Sequence, residues 1–333
     1  MPLSPRASLR IGCAALILSC LAVQAFSAAA SPASIANPDI VSDDIDRFWA
    51  AYDRIRGVED PTQRAQLLQR LYLAPGSPGL QAFLEAKGCT AEKYADLTQR
   101  YPRFWDSVRP RSQSATTRTL ALAPMLEKFR ALYPAMRPAT IYFVVGCMTS
   151  GGTTQGDKVL IGSELALGDP DVDVSELPER TQRWLRTYFG TRPADGLVLL
   201  NVHEYVHTQQ KGPGPTLLAQ SLYEGAADFV AEQVAGKLPP LAYVDYGPAH
   251  LEQIKARFAL DMDKDSYAGW LYNGADESAF GVGDLGYFVG YAICKAYYER
   301  TADKREALRA IIELNYTDAA AARAFLDASG FYR

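Results

Sequence analysis

Two of the three histidines in this 333-residue chain stand four apart, in the run Leu199-Leu200-Asn201-Val202-His203-Glu204-Tyr205-Val206-His207-Thr208. Residues four apart share one face of a helix, so both imidazoles can reach a single metal ion. Glu204 then stands beside that ion, able to take a proton from a metal-bound water. The apolar run Gly196-Leu197-Val198-Leu199-Leu200 fits the buried first half of such a helix, and Lys211-Gly212-Pro213-Gly214-Pro215 ends it.

Two imidazoles do not complete a catalytic zinc site, which takes three protein ligands and a water. Glu224 follows His207 by seventeen residues, room for a loop and two helical turns back to the metal. It lies in Glu224-Gly225-Ala226-Ala227-Asp228, on a helix predicted to begin at Pro215 with Leu217, Leu218, Leu222 and Tyr223 on its apolar face. Gly225 and Ala226 allow two helices to approach closely. Asp228, one turn past Glu224, is placed to accept a hydrogen bond from a ligand imidazole's other nitrogen. A solvated acidic stripe is the alternative for Glu224 and Asp228, but Leu217 to Val234 is apolar almost throughout.

Hydrolysis also needs a donor facing the metal across the scissile carbonyl. Tyr287 and Tyr291, one turn apart on a helix predicted from Leu285 to Arg300, and His250 are the candidates. Tyr287 ranks first because Gly286 and Gly290 leave room beside it. His250 reads as an exposed or capping residue at a helix start.

H-E-x-x-H followed by a helix bearing E-x-x-x-D resembles the gluzincin class of metallopeptidases. The Glu224 to Asp228 form, with Gly286-Tyr287-Phe288-Val289-Gly290-Tyr291 further on, is more specifically similar to predicted zinc-dependent proteases related to gliding-motility lipoproteins. The resemblance covers about residues 138 to 300. It implies a zincin-like domain with His203, His207 and Glu224 as ligands of Zn2+ and Glu204 as general base. The chain departs from the pattern in its shorter interval between His207 and Glu224, and in Tyr223, where asparagine often precedes the ligand glutamate.

The elements that must position these residues can be taken from the amino terminus. Arg6 and Arg10, the apolar run Ile11 to Phe26 and the small residues Ser27-Ala28-Ala29-Ala30 read as a cleaved export leader over residues 1–30. Ile17-Leu18-Ser19-Cys20 loosely resembles a lipobox; Leu18 is bulky for its place and the apolar run continues past Cys20, so a plain leader is expected. Its removal takes two positive charges and no negative ones, moving the net charge from -4 to -6. Such a chain has no basic footprint for nucleic acid and no polybasic patch for an anionic membrane. Cys89, Cys147 and Cys294 remain. They allow at most one bridge with one free thiol, and burial as small apolar side chains is the expected role.

Residues 31–137 read as a helical region. Ser42-Asp43-Asp44 looks like an N-cap before Ile45, Phe48, Trp49, Tyr52 and Ile55, followed by helices at Pro61–Leu73, Pro78–Ala86, Thr90–Arg100 and Ala123–Leu132. Thr140 to Val145 reads as a strand, Gly151 to Asp157 as loop, and Lys158 to Gly162 as the return arm of a long-looped hairpin. The resulting small sheet would pack on the metal-binding helix; its exposed edge could hold an extended peptide, or serve structure alone. Glu164 is expected to be a surface or capping residue, Asp261 to Asp265 a solvated acidic turn, and Arg305 to Tyr332 two helices.

The expectation is therefore an α+β, mostly helical chain with a zincin-like catalytic domain over residues 138–333. Its function would be that of an exported, periplasmic or secreted zinc peptidase acting on a peptide or protein substrate, with no transmembrane segment after processing. An idle zinc-binding interaction protein, or a zinc hydrolase of a non-peptide amide or ester, is permitted by the same motif.

Overall fold

A computed structural model describes residues 40–333; the leader expected over residues 1–30, with Cys20, lies outside the described residues. A short strand β1 (Ile40–Val41) opens the chain, followed by helices α1 (Asp43–Ile55), α2 (Pro61–Leu68), α3 (Pro78–Lys87), α4 (Ala91–Arg100), α5 (Pro102–Gln113), α6 (Ala115–Arg118) and α7 (Leu122–Leu132). A single π-helical stretch, Gln69–Leu73, prolongs α2. Side-chain oxygens start these helices: Asp60 accepts from Thr62 N at 2.8 Å, Ser77 from Leu80 N at 3.1 Å and Thr90 from Lys93 N at 3.2 Å. Ser42 stands at the N-cap of α1 but makes no capping bond; Asp43, Asp44 and Asp46 meet the positive helix end instead. Helix α5 was not expected, because its arginines, serines and the internal Pro110 mask the apolar spacing of Phe104, Trp105 and Val108.

Strands β2 (Thr140–Val144), β3 (Gly152–Gln155) and β4 (Lys158–Gly162) join β1 in a sheet of order β1-β2-β4-β3. The expected hairpin is corrected here: β2 and β4 run parallel, with Ile141 opposite Val159. The true hairpin is β3–β4, turning through Gly156-Asp157, with Gly156 at φ +60°. Gly152-Thr153-Thr154-Gln155 was read as loop because every residue of it is half-buried, so no apolar alternation marks it.

After the sheet come α8 (Ser163–Ala166), α9 (Glu179–Gly190), α10 (Leu197–His207), α11 (Leu217–Ala235), α12 (Ala242–Ala249), α13 (Leu251–Asp261), α14 (Leu285–Arg300), α15 (Lys304–Ile312) and α16 (Ala319–Ser329). The architecture is thus α+β and mostly helical, and among the described residues no helix is long and apolar enough to cross a membrane. The described residues fall in one compact unit. Helix α10 packs on β3 and β4 on one side and on α11 on the other. Helix α11 is buried almost throughout, and α14 crosses it so closely that a Cβ on Gly225 would lie 2.0 Å from Tyr291 N, and one on Gly290 would lie 1.7 Å from Ser221 O. The small residues beside Glu224 therefore admit α14.

The helices before residue 138 hold the end of β2. Tyr72 and Tyr94 donate to the Val145 carbonyl at 2.5 and 2.8 Å from within an aromatic cluster that includes Phe48 and Trp105. A disulfide joins Cys89 to Cys147, 58 positions apart, while Cys294 is free and buried. Only Cys294 therefore keeps the small-apolar role expected of all three cysteines. Two further expectations change. Glu164 is fully buried, accepting from Gly146 N at 2.7 Å and Met148 N at 3.0 Å, so it fixes the chain after β2. Asp261 is buried as well, bound by Trp270 Nε1, Arg257 and Lys264; of the three acids in this turn, Asp263 and Asp265 are exposed.

Candidate metal centre

The helical spacing on α10 brings His203 Nε2 and His207 Nε2 to 3.0 Å of each other. From α11, Glu224 Oε2 lies 3.4 Å from the first and 3.2 Å from the second. These three residues form a group able to hold a metal ion. Four ligands at about 2.0–2.1 Å around a tetrahedral zinc stand about 3.3 Å apart, so the three edges match one face of such a site.

The protonation of the imidazoles agrees with that match. His203 Nδ1 faces Asp228 Oδ1 at 2.8 Å, and His207 Nδ1 faces Gln210 Oε1 at 2.6 Å. Both acceptors are oxygens, so each ring carries a proton on Nδ1 and turns Nε2 inward, where its lone pair is offered whenever the ring is neutral. Two lone pairs and a carboxylate converging in a buried space repel one another unless a cation lies between them. A proton on His203 can take that place in competition with a metal: burial works against charge there, but the bonds to Asp228 and Glu224 outweigh it and hold the His203 pKa well above the ordinary histidine value. Burial likewise opposes the Glu224 carboxylate, yet His207 and His203 hold its pKa well below the usual range.

Each ligand is itself fixed. Glu224 Oε1 accepts from Tyr272 OH at 2.5 Å and Gln220 Nε2 at 3.3 Å, leaving Oε2 for the centre. Asp228 Oδ2 accepts from Tyr243 OH at 2.9 Å. Tyr223, at the position where the family pattern often has asparagine, stacks on the His207 ring at 4.3 Å and 15°. Its carbonyl accepts from Gln210 Nε2 at 2.9 Å, so Gln210 ties α11 to the His207 tautomer.

Glu204 is buried, and among the described residues its carboxylate accepts no hydrogen bond. It lies against the start of β3, where a Cβ on Gly152 would come within 2.6 Å of Glu204 Oε1. Burial raises its pKa above the ordinary value, with charges on His203 and His207 acting in the opposite sense. Lys87, in the last turn of α3, lies in the field of Glu204 and Glu224; burial lowers its pKa and the two carboxylates offset part of that.

The candidate donors separate clearly. The Tyr287 ring lies beside His203 at 6.3 Å and 28° and over Tyr243 at 5.6 Å, and among the described residues its hydroxyl has no hydrogen-bond partner. Tyr291 donates to Glu232 Oε2 at 2.8 Å and is thereby taken up elsewhere. His250 stands at the N-cap position of α13 without a side-chain capping bond; its Nδ1 bonds the Tyr246 carbonyl at 2.9 Å, with no contact to the centre among the described residues. Gln210, Gln220, Tyr243, Tyr272 and Lys87 were not singled out from sequence. Only Gln210 offered a local signal, standing three residues after His207.

A cleft of about 610 Å³ opens beside His207, Gln210 and Tyr223, with Thr154 and Gly156 of the β3–β4 hairpin on its wall. Comparison of this chain with family models, with curated proteins and with solved structures finds no match.

Proposed function

We propose that this chain is an exported zinc-dependent peptidase of zincin-like fold. The observation that carries the reading is the triangle of His203 Nε2, His207 Nε2 and Glu224 Oε2 with an unengaged Glu204 carboxylate beside it. The donor set of two imidazoles and one carboxylate suits Zn2+, and bound there it supplies Lewis acidity toward a water and a carbonyl oxygen. Glu204 takes the proton of the attacking water and delivers it to the leaving amine. Tyr287, stacked near His203 with a hydroxyl that has no partner among the described residues, donates to the carbonyl oxygen as negative charge develops.

The open edge of β3 supports a peptide as substrate. Gly162 N donates to Gly151 O at 3.1 Å, and bonding alternates along an antiparallel pair, so the N–H and C=O of Thr154 face outward. An extended peptide laid there adds a strand and passes Glu204 at Gly152. The Cys89–Cys147 bridge supports export, since such bonds persist in oxidising compartments.

The test is a peptide-library digest with wild type and Glu204→Gln, joined to metal analysis. One zinc per chain in both proteins, with cleavage by wild type alone, is the expected result. Zinc in both and cleavage by neither would leave an idle binding site, and equal cleavage by both would remove Glu204 from the mechanism.

A further inference from the structure

We infer that the cleft beside His207 is a subsite for a carboxylate of the substrate, read by Arg137 and Lys211. The inference deepens the peptidase reading and rests on it for the identity of the substrate as a peptide. Both cations line the cleft, together with Thr154 of β3. Gly152 marks the Glu204 end of that strand and Thr154 stands two residues on, about 7 Å along an extended backbone. A peptide crossing the centre on the β3 edge therefore brings a residue about two positions from the scissile bond to these side chains.

Arg137 is held in place. Its Nη2 donates to the Thr208 carbonyl at 2.5 Å, and its own carbonyl accepts from Tyr205 OH at 3.2 Å and Gln209 Nε2 at 3.1 Å. The carbonyl end of α10 would repel an anion; Arg137 sits on that end and cancels its partial charge. Among the described residues no carboxylate lies within ion-pair distance of Arg137 or Lys211, whereas Asp157, the acid on the same wall, is already paired with Lys158 at 2.9 Å. Two cations without counter-charges thus converge on one cleft in a chain of net charge -4. The remaining edge of the Arg137 guanidinium offers the paired donors that a carboxylate accepts best.

The experiment uses the disulfide-intact, zinc-loaded protein and matched fluorogenic peptides. They carry Glu or Gln at the variable position, each with a free or amidated carboxyl terminus. Wild type is expected to cleave the Glu or free-acid peptides with kcat/KM about tenfold higher than their neutral partners, a ratio that falls as salt is added. Whether the Glu or the free-acid arm carries the preference tells an acidic side chain from a chain terminus. In Lys211→Gln the ratio falls, and in Arg137→Gln/Lys211→Gln it falls to about one, with zinc content and Tm recorded for each. Binding of the same labelled peptides to Glu204→Gln, followed by fluorescence anisotropy, gives a readout without turnover. Acidic peptides binding more tightly there while wild type cleaves nothing would keep the subsite and overturn the peptidase reading. Cleavage without discrimination between charged and neutral peptides, or a preference untouched in the double variant, would overturn the subsite alone.

Discussion

His203 turns Nε2 toward His207 Nε2 and Glu224 Oε2, the candidate metal position, and Nδ1 toward Asp228 Oδ1, 2.8 Å away on the neighbouring helix. One helix thus supplies the ligand and the next fixes its tautomer, with Glu224 one turn before Asp228 on the same element. Asp228→Ala leaves all three ligands in place and removes only that tether. Zinc affinity is expected to fall about 10- to 100-fold, measured by competition with a chromophoric chelator. Wild-type affinity in the variant would show that packing alone orients the ring.

A general base works only when ionised, and burial raises the Glu204 pKa above the ordinary value of 4.5. In the metal-free protein the Glu204 carboxyl is therefore expected to titrate with its midpoint above 4.5, followed by its carboxyl-carbon NMR shift, and bound zinc is expected to lower that midpoint. A metal-free midpoint at or below 4.5 would contradict the burial of this carboxylate.

Glu164 gives a stability prediction of the opposite sense to most carboxylates. Burial pushes its pKa up to about 7 from 4.5, against the pull of the backbone bonds from Gly146 and Met148. The folded state therefore binds the proton more tightly than the unfolded chain. The associated stability is fully present below about pH 4.5 and is lost as pH rises through about 7, an effect on the order of 3 kcal/mol. Comparing urea unfolding of wild type and Glu164→Gln from pH 4.5 to 8 isolates it. Parallel curves across that range would mean that Glu164 titrates normally.

The crossing of α11 and α14 has no space for a methyl group. Gly290→Ala is expected to destabilise by about 3 kcal/mol and to weaken zinc binding, because the shift falls on the helix carrying Glu224. Gly57→Ala is the matched control: a Cβ there meets nothing within 4 Å. It should leave stability unchanged or raise it by up to about 1 kcal/mol. Equal effects at the two glycines would show that the helices can separate without cost.

The part of the centre legible in the sequence is the part that obeys local geometry. His203 and His207 are related by one helical turn, and Glu224 and Asp228 by another, so spacing alone places each pair on a common face. Tyr272 and Lys87 carry no such mark, since they reach the centre through folding of distant segments. Tyr272 does so from a loop at φ +56°, still 58% exposed. Strand β3 carries no mark for a different reason: its glycine, threonines and glutamine are all half-buried, so neither face of the strand is apolar. The bridge could not be assigned because three cysteines allow three pairings, and nothing in their spacing prefers Cys89 with Cys147.

That bridge fastens the chain entering β3 to the α3–α4 junction, two residues from Lys87. Before it closes, the wall opposite Glu204 is anchored by noncovalent contacts alone. Reduction would leave His203, His207 and Glu224 on α10 and α11 while the segment leading into β3 kept its bonds to Tyr72, Tyr94 and Glu164.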